Sequence, residues 1–320
     1  MVALPPGFAC GHWTDPAGLT GCTVVLAPPG AVGSGELRGG GPGSRESDLL
    51  SPATSTAGPQ AVVLSGGSAF GLAAADGVVR RLEEAGRGHP TPAGRVPLVS
   101  AAVVYDLLLG DPRARPDAAA GYAAARDATG ADVRRGSVGA GTGCTVGKLL
   151  GPEGWTRGGL GAASLRAGDA TIAAVAAVNP IGDVLAADGS VLAGAWRAGE
   201  GYVRAVELIR AGAGAPIPAE RANTTLVCVC TDAKLTKLQA WLVARAASAG
   251  VARAVSPCAT SFDGDMTFCL AGGEAEADPT AVSVLAAEAA TLAIRDGVEQ
   301  ATGVPGCPSA ADRREAALKP

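Results

Sequence analysis

Two textures alternate along this chain. Short unbroken apolar runs read as buried strands, and longer segments with apolar residues at helical spacing read as helices with one buried face. Ala61 to Leu64 is such a run and ends in Ser65-Gly66-Gly67; Ser68 to Ala85 then repeats apolar residues at helical spacing before Gly86. The pattern predicts strand, glycine turn and helix. In that helix Ala69, Leu72, Ala73, Val79 and Leu82 are expected to face a sheet, and Arg80, Arg81, Glu83 and Glu84 to face water. Pro97 to Val104 predicts another buried strand, ending at Tyr105-Asp106, and Pro116 to Ala128 an alanine-rich helix closed by Gly130.

From about Val138 to Ala198 the pattern changes to glycine-punctuated strands over Leu160 to Arg166, Thr171 to Asn179 and Gly182 to Leu185, with Asp188-Gly189 as a hairpin turn. Glu207 to Ala222 loses its periodicity after Ile209 and is the best internal break. A strand over Thr225 to Thr231 follows, then a helix from Ala233 to Ala249 that Asp232 could cap, with Leu235, Leu238, Trp241, Leu242 and Ala246 on one stripe. Met266 to Ala271 predicts a strand and Thr280 to Ala301 a long helix. There is no internal repeat. Strands interleaved with one-faced helices argue a layered α/β or α+β architecture.

Composition narrows the functional classes. A hydrophobic fraction of 48% over 320 residues provides for a large core. The net charge of -4 gives no basic footprint for nucleic acid or an anionic membrane, so neither is expected as a partner. No segment offers the roughly 20 uninterrupted apolar residues that spanning a bilayer requires. Met1 to Asp15 carries no cationic-then-apolar stretch, and a soluble, cytoplasmic protein is expected. Eight scattered cysteines make no disulfide framework, and Cys228 and Cys230 share one strand face without a second pair or a nearby histidine to complete a zinc set. With only His12 and His89 in the chain, catalysis must lean on other groups.

The candidate chemistry sits at strand ends. Asn223-Thr224-Thr225 opens an apolar strand directly after a Pro/Gly-rich connector, where a self-cleaving hydrolase would keep its nucleophile. If the bond before Thr224 breaks, that residue gains both an attacking hydroxyl and a free α-amine to take its proton. The triplet also fits an N-glycosylation acceptor, and a strand-opening Thr is ordinary. The run Val138-Gly139-Ala140-Gly141-Thr142-Gly143-Cys144-Thr145-Val146-Gly147-Lys148 tempts a phosphate-binding reading, yet the first glycine position of a P-loop is Thr142 and Leu149 follows the lysine. What remains is a lysine on a tightly turned backbone, either a surface charge or a cation in a pocket wall. Asp263-Gly264-Asp265 aims two carboxylates one way and invites a cation; the later oxygen ligands of a calcium loop are missing, and an ammonium would serve. Asn179, before Pro180, and Tyr105 each stand at a strand tip, as turn residues or oxyanion donors.

Taken together these segments resemble the L-aminopeptidase/D-esterase (DmpA-like) family of self-processing hydrolases, which includes the nylon-oligomer hydrolases. The likeness runs through Arg38-Gly39-Gly40-Gly41-Pro42-Gly43, Leu64-Ser65-Gly66-Gly67-Ser68-Ala69-Phe70-Gly71-Leu72, Ala102-Val103-Val104-Tyr105-Asp106, Gly147-Lys148, Val178-Asn179-Pro180, Asn223-Thr224-Thr225 and Asp263-Gly264-Asp265. It implies an α+β fold, a four-layer αββα sandwich similar to the N-terminal-nucleophile hydrolases and shared with the ornithine acetyltransferases. It implies self-cleavage between Asn223 and Thr224 into chains of residues 1–223 and 224–320, held in one unit and assembled as a homo-oligomer, commonly a tetramer. Thr224 would be the nucleophile, with Asp263 and Asp265 orienting its amine, Lys148 assisting processing, and Asn179 and Tyr105 contacting the oxyanion or substrate carbonyl. An α-amine titrates at about 7.7 to 8.0 when unperturbed, close to what a general base at neutral pH needs. The substrate would be a peptide or small amide, and no metal or organic cofactor is implied. Two departures bear on substrate: Asn-Thr replaces the Gly-Ser of the aminopeptidase members, and Cys258 stands near where relatives tend to carry His. Acyl transfer of the ornithine acetyltransferase kind and an uncleaved, non-catalytic homologue are the rival readings.

Overall fold

The computed structural model describes residues 2–212 and 223–318. Ten strands carry the architecture: β1 (Ala9–Asp15), β2 (Thr20–Leu26), β3 (Val32–Leu37), β4 (Ser44–Arg45), β5 (Ala61–Ser65), β6 (Val99–Val103), β7 (Gly159–Ala167), β8 (Ala170–Asn179), β9 (Thr224–Ala233) and β10 (Met266–Ala275). Four helices flank them: α1 (Ala74–Glu84), α2 (Ala118–Arg126), α3 (Lys237–Ala254) and α4 (Pro279–Glu299). One sheet has the order β1-β2-β5-β6-β4, the other β7-β8-β9-β10-β3. In the second sheet β9 pairs antiparallel with β8 and parallel with β10, so it is a central strand bonded on both edges.

Side-chain alternation turns these elements into four layers. In β9, Val227 and Val229 point into a core shared with α3 and α4, while Leu226, Cys228 and Cys230 point into the core between the sheets. In β5, Val62 and Leu64 face that same inter-sheet core, and Ala61 and Val63 face α1 and α2. The result is the αββα sandwich that the sequence resemblance implies, with Cys228 and Cys230 as packing residues. No helix among the described residues is long and apolar enough to cross a membrane.

Four sequence expectations shift. The segment after Gly67 begins as a 3-10 turn, Ser68–Ala73, and only then becomes α1, which resets the helical phase. Ala74, Ala75, Val78 and Leu82 are therefore the buried stripe, whereas Ala69 and Ala73 are exposed. The cap of α3 is Thr236 in a capping box with Gln239, because β9 continues through Ala233; Asp232 instead accepts the Thr171 N–H at 2.6 Å. Leu238 and Leu242 are exposed, and the buried face of α3 is Ala240, Val243, Ala244, Ala247, Gly250 and Val251. Large apolar residues mislead here because α3 lies too close to α4 to seat them. At the nearest approach a side chain on Gly250 would overlap the Ala287 carbonyl. The break expected over Glu207 to Ala222 contains a short helix, Ala205–Arg210, and its later part lies outside the described residues.

This packing gives a contrast to measure. Gly250→Val should lower Tm by about 2 to 5 °C, because overpacking a close helix crossing costs about 1 to 3 kcal/mol. Leu242→Ala, at an exposed position of the same helix, should move it by no more than about 1 °C. Equal shifts would show that the close crossing is not the constraint.

Candidate active site

Strand pairing gathers the residues that the sequence scatters. Antiparallel register sets Asn179, the last residue of β8, against Thr224, the first of β9. Parallel register sets Leu226 against Met266, so the residues just before β10 rise beside those just before β9, and Asn223 bridges Asp263. Lys148, at the end of the glycine run, donates from Nζ to the Asn179 carbonyl at 2.7 Å. Thr224, Lys148, Asn179, Asp263 and Asp265 are all buried.

The Asp263-Gly264-Asp265 loop holds the backbone around Thr224 from one side. The Gly264 N–H donates to the Asn223 carbonyl oxygen at 2.9 Å, and the Thr224 hydroxyl donates to that same oxygen. Asp265 accepts the Thr225 N–H at 2.6 Å through Oδ1 and the Ala259 N–H at 2.8 Å through Oδ2. Asp263 Oδ2 accepts the Thr260 N–H at 2.8 Å, while its Oδ1 is buried with no partner. A Cβ on Gly264 would lie 2.7 Å from Thr224 Oγ1, so the middle residue must be glycine for the hydroxyl to sit there. The Arg38-Gly39-Gly40-Gly41 motif is the buttress of this loop. The Arg38 and Gly39 N–H groups reach the Asp265 carbonyl at 3.0 and 3.1 Å, and the Gly41 N–H reaches that of Asp263 at 2.8 Å.

On the other side, backbone packs on backbone. Gly147 takes φ of 70° and lies against Gly194 and Ala195 where no side chain fits, so the run is a structural turn that delivers Lys148 to the interior. Asn179 Oδ1 accepts the Thr145 N–H at 2.9 Å, and its Nδ2 donates to the Tyr105 carbonyl at 3.0 Å. Tyr105 thus meets Asn179 through its backbone, a contact that strand-tip reasoning does not anticipate. Its side chain helps line a small cleft with Lys148, Thr145 and Trp155.

Asp106 is the group that sequence reasoning leaves without a role. It is buried, accepts the Thr20 hydroxyl at 2.6 Å and the Gly67 N–H at 2.7 Å, and ties the Ser-Gly-Gly turn to the segment carrying Tyr105. Its signal was its place next to Tyr105 in a matching motif. Cys258, the departure noted in the sequence, lines a separate cavity together with Asp265.

Burial sets the charges. It pulls the Lys148 ammonium down from 10.5 to about 7, against the attraction of Cys144, Asp263, Cys307 and Asp265, which all favour the charged form. Burial pushes the Asp265 carboxyl above its ordinary range, and the neighbouring Asp263 adds to this. Among the described residues no group of three or more His, Cys, Asp or Glu is placed to hold a metal ion.

Fold and arrangement together define a class, the Ntn-hydrolase architecture. The L-aminopeptidase D-Ala-esterase/amidase from Ochrobactrum anthropi, a variant of that fold, superposes with a TM-score of 0.71 at 17% sequence identity over 99% of this chain and 93% of that one. The pattern of peptidase family S58 matches residues 6–308, and the chain belongs to that family. An uncharacterised aminopeptidase of Mycobacterium leprae is 43% identical over 291 residues, covering 88% of this chain and 75% of that protein. The 6-aminohexanoate-oligomer endohydrolase of Paenarthrobacter ureafaciens is 32% identical over 285 residues, covering 86% of this chain and 76% of that enzyme. The family resemblance seen in the sequence holds, and the chemistry it carries is that of a peptidase-type amide hydrolase.

The lysine gives a pH prediction. With a folded pKa near 7 against 10.5 unfolded, the unfolded chain binds the extra proton between those values, and stability rises with pH across that window. In a Thr224→Ala background, adding Lys148→Met should flatten the rise in urea-unfolding free energy between about pH 7 and about pH 10. An unchanged slope would mean that Lys148 keeps its proton in the folded state.

Proposed function

We propose that this protein is a self-processing amide hydrolase in which Thr224, freed by cleavage of its bond to Asn223, is the N-terminal nucleophile. One observation carries the reading: the Thr224 hydroxyl lies against the carbonyl of the preceding residue, whose oxygen also accepts the Gly264 N–H. Nucleophile, target and oxyanion donor are thereby assembled within one chain before any substrate arrives.

Processing starts with attack of Thr224 Oγ1 on the Asn223 carbonyl carbon. Lys148, shifted by burial to where its neutral amine is populated at neutral pH, is the base available for the hydroxyl proton. The oxygen turns negative as the tetrahedral adduct forms, and the Gly264 N–H stabilises it. Collapse breaks the C–N bond as the Lys148 ammonium returns the proton to the departing nitrogen, leaving Asn223 as an ester on Thr224; water hydrolyses the ester, giving a carboxylate on Asn223 and an α-amine on Thr224. The new ammonium meets the unpartnered Asp263 Oδ1, which relieves an orphaned buried acceptor worth roughly 1 to 3 kcal/mol. Residues 1–223 and 224–320 stay together, because β9 remains paired with β8 and β10 after the cut at its start.

Turnover repeats the attack on an outside carbonyl. The α-amine of Thr224 takes the hydroxyl proton, an acyl-enzyme forms as the substrate's amine leaves, and water clears the acyl group. Asp265 keeps the strand start in place through Thr225, and Asn179, opposite Thr224, orients the substrate carbonyl. The substrate class is a small peptide, aminoacyl amide or oligoamide, in keeping with the aminopeptidase and oligomer-hydrolase relatives.

Thr224→Ala should give one intact chain with hydrolysis of aminoacyl amides lost by at least about a thousandfold. Gly264→Ala should slow processing at least tenfold, roughly, by displacing the hydroxyl and the donor together. Electrophoresis over a time course reads both, and normal processing in either variant would remove the assigned residue from the site.

A further inference from the structure

A cavity of about 200 Å³ lies behind the nucleophile, between α3 and the start of β10. It is not the side on which Thr224 acts. Thr224 has the strand parity of Leu226 and Cys228, which face the inter-sheet core, whereas Asp265 has the parity of Cys269, which faces the helices. The cavity walls are apolar along Ala249, Val251 and Ala252, and Asp265 and Cys258 also border it.

Its charged lining is two guanidinium groups and one carboxylate. Arg245 stacks over the Trp241 ring at 5.4 Å and has no carboxylate partner among the described residues. Arg38 pairs with Glu36 at 2.9 Å through Nε, and Glu36 is itself anchored by the Trp241 indole N–H at 2.9 Å. A guanidinium carries five N–H donors, so this pair leaves Arg38 with further capacity. Asp265 is the opposing charge, and both of its oxygens already accept backbone N–H groups. Cations beside an apolar pocket of this size match one chemistry, an acid group on a short carbon tail.

We propose that this cavity binds a small monocarboxylate, its acid group held by Arg245 and Arg38 and its tail lying along Ala249, Val251 and Ala252. Asp265 connects the cavity to the hydrolase site, since it borders the one and holds the Thr225 N–H in the other. Occupancy therefore changes the surroundings of a group that positions the nucleophile. Amide hydrolysis releases carboxylic acids, so a bound acid of this kind would make the rate respond to product. That consequence for rate rests on the role proposed for Asp265; the binding does not.

Calorimetric titration with sodium hexanoate, and with hexanamide as its neutral counterpart, tests the site on the purified protein. Hexanoate should bind at one site per chain at least tenfold more tightly than hexanamide, roughly the worth of a charge-assisted contact. Arg245→Ala should weaken hexanoate by about tenfold or more while leaving hydrolysis without hexanoate within about twofold, and Arg245→Lys should fall between. Thr224→Ala should bind hexanoate as the wild type does, which separates a failure of this site from a failure of the proposed chemistry. Absence of hexanoate binding, equal binding of hexanamide, or indifference to Arg245→Ala would each overturn the proposal.

Discussion

The parallel pairing of β9 with β10 is the constraint on which the site depends. Parallel strands start at the same end of a sheet, so the residues leading into them are neighbours however far apart they lie in the chain. That places Asn223 beside Asp263 and brings the Gly264 N–H to the Asn223 carbonyl. The antiparallel partner on the other edge, β8, ends where β9 begins and sets Asn179 opposite Thr224. Three strand ends therefore converge on one peptide bond. The proposed reaction needs little beyond this convergence and a lysine brought in by the glycine run.

Burial of so many polar groups is costly unless each finds a partner, and the way the cost is met is informative. Asp265 uses both oxygens on backbone N–H groups, and Lys148 meets a carbonyl. Asn223 Oδ1, Thr225 Oγ1 and Asp263 Oδ1 are the site atoms left without a partner, and the last is a carboxylate oxygen on the residue that bridges Asn223. In the proposed scheme the uncut chain holds an acceptor whose donor is created by cleavage. Burial shifts Lys148 toward its neutral form in the precursor, and in the proposed product the opposite charge of Asp263 favours the new ammonium against that same burial.

Much of this was legible in the sequence, and the gaps have physical reasons. The strands from Ala61, Thr171 and Met266 were readable because they are continuous apolar runs, and the site residues were readable as motifs in a fixed order. The buried face of α3 was misassigned because leucine and tryptophan mark a core by size, while a close crossing with α4 selects alanine and glycine. The phase of α1 was missed because Ser68–Ala73 is a 3-10 turn, whose repeat differs from that of an α-helix. The role of the Arg38-Gly39-Gly40-Gly41 motif could not be read from spacing at all. It packs on a loop more than two hundred residues later, and only the sheet order, with β3 at the edge beside β10, brings the two together.

Intact mass and N-terminal sequencing of the purified wild-type protein test the central claim most directly. Two chains are predicted, the smaller one beginning Thr224-Thr225-Leu226 and the masses of the pair summing to that of the precursor plus one water. A single chain of 31.2 kDa that persists at neutral pH, or a second N-terminus at any other residue, would contradict the account.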